Sequence, residues 1–317
     1  MKYGEALYFP DGYEVEGFAD YVLRKLAELQ RPIPVPAFAA GGEAEWLEKL
    51  HDFVAAQPFA YRTKFQKSAY ERAEQLTDVK PVMQSVHPTL YAVAQDCCAA
   101  LQLTRPTLFS YRSDGDQRFN ASVIGYMDAA WIFVSEHFQD RRYLNDLEIA
   151  AVIGHEIGHY VCCHSAVRSI LKDFTRRDGR LQEYTADRAG LLAAAYRVWT
   201  VRGGELDGAQ RRALALKAAG DALKKIELLH ALHAQKKPDP EGEQLAGMAA
   251  RMSIVKTHAK ANATHPSLAD RLEAMDLFAN SECFCRCMRA AGIEIAVKGL
   301  EDDYLARKMA ALEPEGV

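Results

Sequence analysis

The stretch His155-Glu156-Ile157-Gly158-His159 constrains this chain more than any other feature of it: two histidines four residues apart, with a glutamate directly after the first. Its flanks read as a helix. Asn145 with Glu148 three residues on makes an N-terminal capping box, and Ile149, Ala150, Ile153 and Ile157 supply a buried stripe. On a helix, positions four apart sit one turn above each other, so both imidazoles can reach a single zinc ion while Glu156 points beside them at a metal-bound water. Ten histidines and 43 acids in 317 residues give a chance expectation of about 0.04 such patterns. The spacing therefore carries information.

A catalytic zinc takes three protein ligands and keeps a fourth position open, so a further ligand is required downstream. A third histidine six residues beyond His159, with glycine three beyond, is ruled out because Ser165 and Cys162 stand there. His164 lies five residues past His159, off the ligand face, and reads as a helix-surface or supporting residue. The better candidate is Glu183 in Gln182-Glu183-Tyr184-Thr185-Ala186-Asp187-Arg188, which opens the next helix. Asp187 stands one turn on, where it can accept the N–H of a liganding imidazole and hold its tautomer.

The rest of the chain is a mostly helical α+β pattern. With 49% hydrophobic residues it can bury a large core, and Lys+Arg 39 against Asp+Glu 43 leaves a net charge of −4, which gives no global reason to seek nucleic acid or an anionic membrane. No apolar run is long enough to span a bilayer, and the first residues lack the pattern of an export signal, so a soluble protein is expected. Seven cysteines, as Cys97-Cys98, Cys162-Cys163 and Cys283, Cys285, Cys287, do not form a spaced disulfide frame; they favour a reducing cytoplasm and buried, inert thiols.

Helical pieces are expected at Phe18 to Leu29, Ala44 to Ala56, about Lys64 to Leu76 and Pro88 to Leu103. The proline-rich stretch from Arg31 to Gly42 reads as an extended tether. Thr107 to Tyr111, Arg118 to Ile124 and Ala130 to Ser135, with a turn at Ser113 to Asp116, predict a small antiparallel sheet. Further helices are expected at Asn145 to about Lys172, Leu181 to Val201, Ala209 to Ala234, Glu241 to about Ala261, Ser267 to Phe278 and Leu300 to Leu312. The basic stretch Arg211 to Lys237 reads as a solvated helix face. The expected organisation is an N-terminal helical accessory region over 1–80, a catalytic domain over 81–280 and a helical tail over 281–317.

Three motifs, in order, resemble the zinc endopeptidases that group the CAAX prenyl proteases with the HtpX heat-shock proteases, within the gluzincins. They are His155 to His159; Glu183 to Asp187 with Arg188 and Gly190; and His265-Pro266 with Arg271. Asn120-Ala121-Ser122 and Trp131 to Ser135 are similar to the strands that precede the active-site helix in that family. The resemblance covers about Ser85 to Leu277 and implies a zincin-like domain with one zinc ion per chain, held by His155, His159 and Glu183. Glu156 would be the general base, Asp187 would orient a ligand, and His265 would stabilise the oxyanion. Arg271 would hold that histidine's loop or act on the substrate side, and Asn120 and Ala121 would engage substrate on an edge strand.

The implied activity is that of a soluble endopeptidase on peptide or unfolded-protein substrates, without nucleic acid. The chain differs from the membrane-embedded members in having no transmembrane helix. The competing reading is a non-catalytic, zinc-containing helical interaction module. Self-inhibition by the N- or C-terminal segment, through a tail cysteine or the terminal carboxylate reaching the open metal position, stands beside the simpler reading that both segments pad the domain. Nothing in the sequence selects an oligomeric state.

Overall fold

The computed structural model describes residues 36–39, 41–56, 77–103, 107–112, 120–126, 129–170, 175–203, 205–252, 265–295 and 299–312. The helices expected at Phe18 to Leu29 and Lys64 to Leu76, half of the proline-rich tether, the Ser113 to Asp116 turn, residues 253–261 and the last five residues lie outside them.

In chain order the described elements begin with α1 (Glu43–Ala56), β1 (Thr77–Pro81), α2 (Pro88–Ala100), β2 (Thr107–Arg112), β3 (Ala121–Tyr126) and β4 (Ala129–Ser135). The helical part follows as α3 (Asp146–Val161), α4 (His164–Ile170), α5 (Arg176–Arg202), α6 (Gly208–Ala234), α7 (Gly242–Ala250), α8 (Leu268–Ala279), α9 (Glu282–Ala290) and α10 (Asp302–Leu312). No described helix is long and apolar enough to cross a membrane.

The sheet has the order β1-β2-β4-β3 and is mixed, where an antiparallel one was expected. β3 and β4 form the antiparallel hairpin that their turn signals imply, but β2 runs parallel to β4, with Thr107 opposite Trp131 and Tyr111 opposite Ser135. An alternating apolar pattern specifies which face a strand buries and leaves its direction open, so β2 could not be oriented from its residues. β1, which lies where the accessory region was expected to end, closes the other side of β2.

Three helix boundaries also differ. The helix expected to run from Asn145 to Lys172 stops at Val161; Cys162 caps it, Cys163 turns left-handed with φ of 52°, and α4 restarts at His164. α5 starts at Arg176, earlier than expected, because Thr175 and Asp178 form a capping box. Ser281 accepts from the Phe284 amide and opens α9, a short helix missing from the sequence reading, which carries Cys283, Cys285 and Cys287. All seven cysteines are buried.

α3 packs most closely on α5, and glycine makes this possible. A Cβ on Gly158 would fall 2.7 Å from Ala189 Cβ, and one on Gly190 only 2.5 Å from the Ala151 carbonyl oxygen. The two backbones thus touch along a seam of Gly154, Gly158, Ala186, Ala189, Gly190 and Ala193. Ile149, Ile153 and Ile157 are buried in the central apolar cluster, each contributing about 1.5–3 kcal/mol of burial. That cluster also takes in Phe38, Phe284 and Met309, from near both ends of the described chain. The basic helix α6 is not wholly solvated: Lys225 is buried and donates at 2.8 Å to both carboxylate oxygens of Glu148.

Candidate metal centre

Asn145 starts α3 by accepting from the Leu147 and Glu148 amides, while the Glu148 carboxylate accepts from the Asn145 amide at 2.9 Å. From that start the helix delivers His155, Glu156 and His159 to one side of the glycine seam. α5, crossing at the same seam, brings up Glu183 and Asp187. The His155 and His159 Nε2 atoms face each other at 3.1 Å, and the Glu183 carboxylate lies 3.6 Å from the first and 3.7 Å from the second. The three side chains each offer one ligand atom, all within 4.8 Å of one another, so the set could hold a metal ion. Glu183 keeps 4% of its side chain exposed against 16% and 13% for the two histidines, so the cluster opens on the imidazole side.

Around this set stands a layer of charge. Asp187 Oδ1 lies 3.0 Å from His155 Nδ1, and Arg271 of α8 donates through Nε and Nη2 to the two Asp187 oxygens at 2.8 and 2.6 Å. Burial would push the Asp187 carboxyl up, but the Arg271 guanidinium reverses this and holds it below the usual range. Burial alone would likewise lower His155, yet Asp187 and Glu183 together raise it. His159 goes the other way, pushed well down by burial. His265 is exposed and sets its Nδ1 3.0 Å from Glu183 Oε2. Arg271 is thus engaged behind the site by Asp187, with Glu183 4.0 Å away.

Glu156 sits beside the cluster, where burial raises its carboxyl to about 7, against a counteracting hydrogen bond from the Val123 backbone. A cavity of about 480 Å³ opens over it, within the size range of ligand clefts. Asn120, Ala121, Ser122 and Val123 form one wall, Ala219, Leu223 and Ile226 of α6 another. Among the described residues β3 pairs only with β4 and is the last strand of the sheet. The Asn120 carbonyl accepts from Tyr111 Oη at 3.0 Å and from the Ser135 amide at 3.1 Å, which fixes the entry to that strand.

Residues 84–176 match the family model for peptidase family M48. That segment is similar to peptidase family M48. No curated protein and no solved structure matches it. The matched segment runs from just before α2 to the start of α5 and contains His155, Glu156 and His159; Glu183, Asp187, His265 and Arg271 lie beyond it. The match supports a metallopeptidase in general.

The structure adds two features to the sequence reading. One is the glycine seam, whose signal was the four-residue spacing of Gly154 and Gly158 opposite the small residues around Gly190. The other is the place of His164: of the two alternatives, helix surface or support, it takes the second, being buried and meeting His159. The left-handed Cys163 turns it inward, and no residue type at that position announces such a turn.

Proposed function

We propose that the chain is a zinc-dependent endopeptidase in which Glu156 is the general base. The observation that carries this reading is the convergence of His155, His159 and Glu183 from two helices, with the Glu156 carboxyl beside them under an open cavity. Two imidazole nitrogens and a carboxylate are a donor set that suits zinc and leaves room for substrate. When bound there, zinc would supply Lewis acidity, polarising the scissile carbonyl and making water a nucleophile near neutral pH.

The chain's own residues supply the rest. Glu156, whose buried carboxyl sits near 7, is placed to take the proton from the attacking water and to pass it to the leaving amine. Substrate would lie extended along β3 near Asn120 and Ala121 and pair through main-chain hydrogen bonds, which suits loose sequence preference. His265, on the cavity wall beside Glu183, would stabilise a developing oxyanion. Arg271 acts through Asp187 as a positioning residue, its guanidinium being committed there.

The test is zinc content together with casein or peptide cleavage for the wild type and Glu156→Gln. The variant should keep its zinc and lose about 10²–10⁴-fold in turnover. Zinc bound with equal cleavage by both would refute the assignment. A zinc ion closed by four protein ligands would favour the interaction module instead.

A further inference from the structure

We infer that Glu43 and His164 form a proton-ordered relay that positions His159 for metal binding, so that the segment before the family-matched region is a working part of the metal centre. The inference rests on the reading of His159 as a metal ligand. α4 begins directly after the left-handed Cys163, and this turn brings the His164 ring back onto His159, with the two Nδ1 atoms 2.7 Å apart and the rings at 73°. On its far side His164 Nε2 lies 3.0 Å from Glu43 Oε1, at the first residue of α1. Glu43 and His164 are 1% and 2% exposed, so water does not compete for these bonds.

Proton counting leaves one arrangement. Two ring nitrogens at 2.7 Å need one proton between them. If His159 Nε2 faces the metal, its proton is on Nδ1, which donates to His164 Nδ1. The remaining His164 proton is then on Nε2, aimed at the Glu43 carboxylate. Each donor meets an acceptor, and the carboxylate reinforces the basicity of His159 through the intervening ring. Arg188 of α5 anchors the approach to Glu43, donating to the Phe38 carbonyl at 3.1 Å.

A rival use of the same residues is a second metal site, because the Glu43, Cys162 and His164 ligand atoms also lie within 4.8 Å of one another. It conflicts with the first site. A metal on His164 Nε2 would leave that ring's proton on Nδ1, head to head with the His159 Nδ1 proton. The Cys162 thiol is also held protonated, by burial first and then by the Glu43 charge. The relay satisfies every proton while His159 remains free to bind metal.

The test uses the full chain loaded with zinc. Nitrogen-15 imidazole spectra should show His159 protonated on Nδ1 and His164 protonated on Nε2; a His164 proton on Nδ1 would overturn the relay. Chelator competition should show a zinc affinity lower by about 10–100-fold in Glu43→Ala and His164→Ala. Glu43→Gln, which keeps an acceptor oxygen, should recover much of it, and the cobalt-substituted absorption spectrum should shift in the alanine variants and return in Glu43→Gln. Cys162→Ser should bind zinc as the wild type does. Wild-type affinity in a folded Glu43→Ala sinks the relay and leaves the metal centre standing, whereas a wild type that holds no zinc sinks both. Two zinc ions per chain, one lost in Cys162→Ser, would establish the rival site.

Discussion

His155 meets its carboxylate directly, with Asp187 3.0 Å from Nδ1, whereas His159 reaches one only through a second ring, Glu43 lying 121 residues from the His164 it contacts. The first arrangement is made by two helices already locked along the glycine seam, and Arg271 balances its buried charge. The second depends on a separate segment docking against α4. The two imidazoles are neighbours on one helix, yet one is supported by the seam that builds the core and the other by an attachment to it. A ligand held by a charge pair should fail by stranding the partner charge; one held by a docked segment should fail by losing orientation.

The largest effect should come from the carboxylate common to both sides. Glu183→Ala should lose zinc in chelator competition far more severely than Asp187→Ala, for which about 10–100-fold is expected. Equal retention in wild type and Glu183→Ala would move the third ligand elsewhere. The comparison sharpens in denaturant unfolding: Asp187→Ala leaves Arg271 buried without its partner and should cost about 3–5 kcal/mol, while Glu43→Gln strands no such cation and should cost clearly less. Similar losses for the two would erase the distinction between the sides.

Gly190→Ala should act on both sides together. Its methyl would meet the Ala151 carbonyl oxygen at 2.5 Å, so α3 and α5 must part, at a cost of about 1–3 kcal/mol, with zinc affinity falling as Glu183 withdraws. Unchanged stability and affinity would mean that the seam does not set the ligand geometry. The smallest effect belongs to Asn145→Ala, which removes the cap of α3 and should lower stability by about 1 kcal/mol with zinc affinity intact. A fall in affinity there would show that the start of α3 is transmitted ten residues along to the ligands.

Much of the helical framework could be read locally. Asn145 and Glu148 mark the start of α3, Ile149, Ile153 and Ile157 mark its buried face, and the small residues of α5 permit the close crossing. The ends of helices were less legible, because Thr175 capping α5 and Ser281 opening α9 act through local hydrogen bonds that many serines and threonines never make. The direction of β2 was not legible at all. Side-chain alternation is the same in either direction, and the parallel pairing of β2 with β4 is fixed only when the strands meet.

Spacing along the chain sufficed to put His155, Glu156 and His159 on one helical turn, since helix geometry relates residues four apart whatever else the chain does. The net charge and cysteine clusters likewise narrowed what the chain could be without reference to any contact. Glu183 and Asp187, 28 and 32 residues beyond His155, were singled out by their pattern, whereas tertiary structure alone brought in Glu43, 121 residues from the His164 it contacts. Asp187 faces His155 because glycines let two backbones touch, and His164 faces His159 because one left-handed residue reverses the chain. Those outcomes depend on how close backbones can approach and which way a turn folds. Both are properties of packing among distant segments, and residue type at any one position does not encode them.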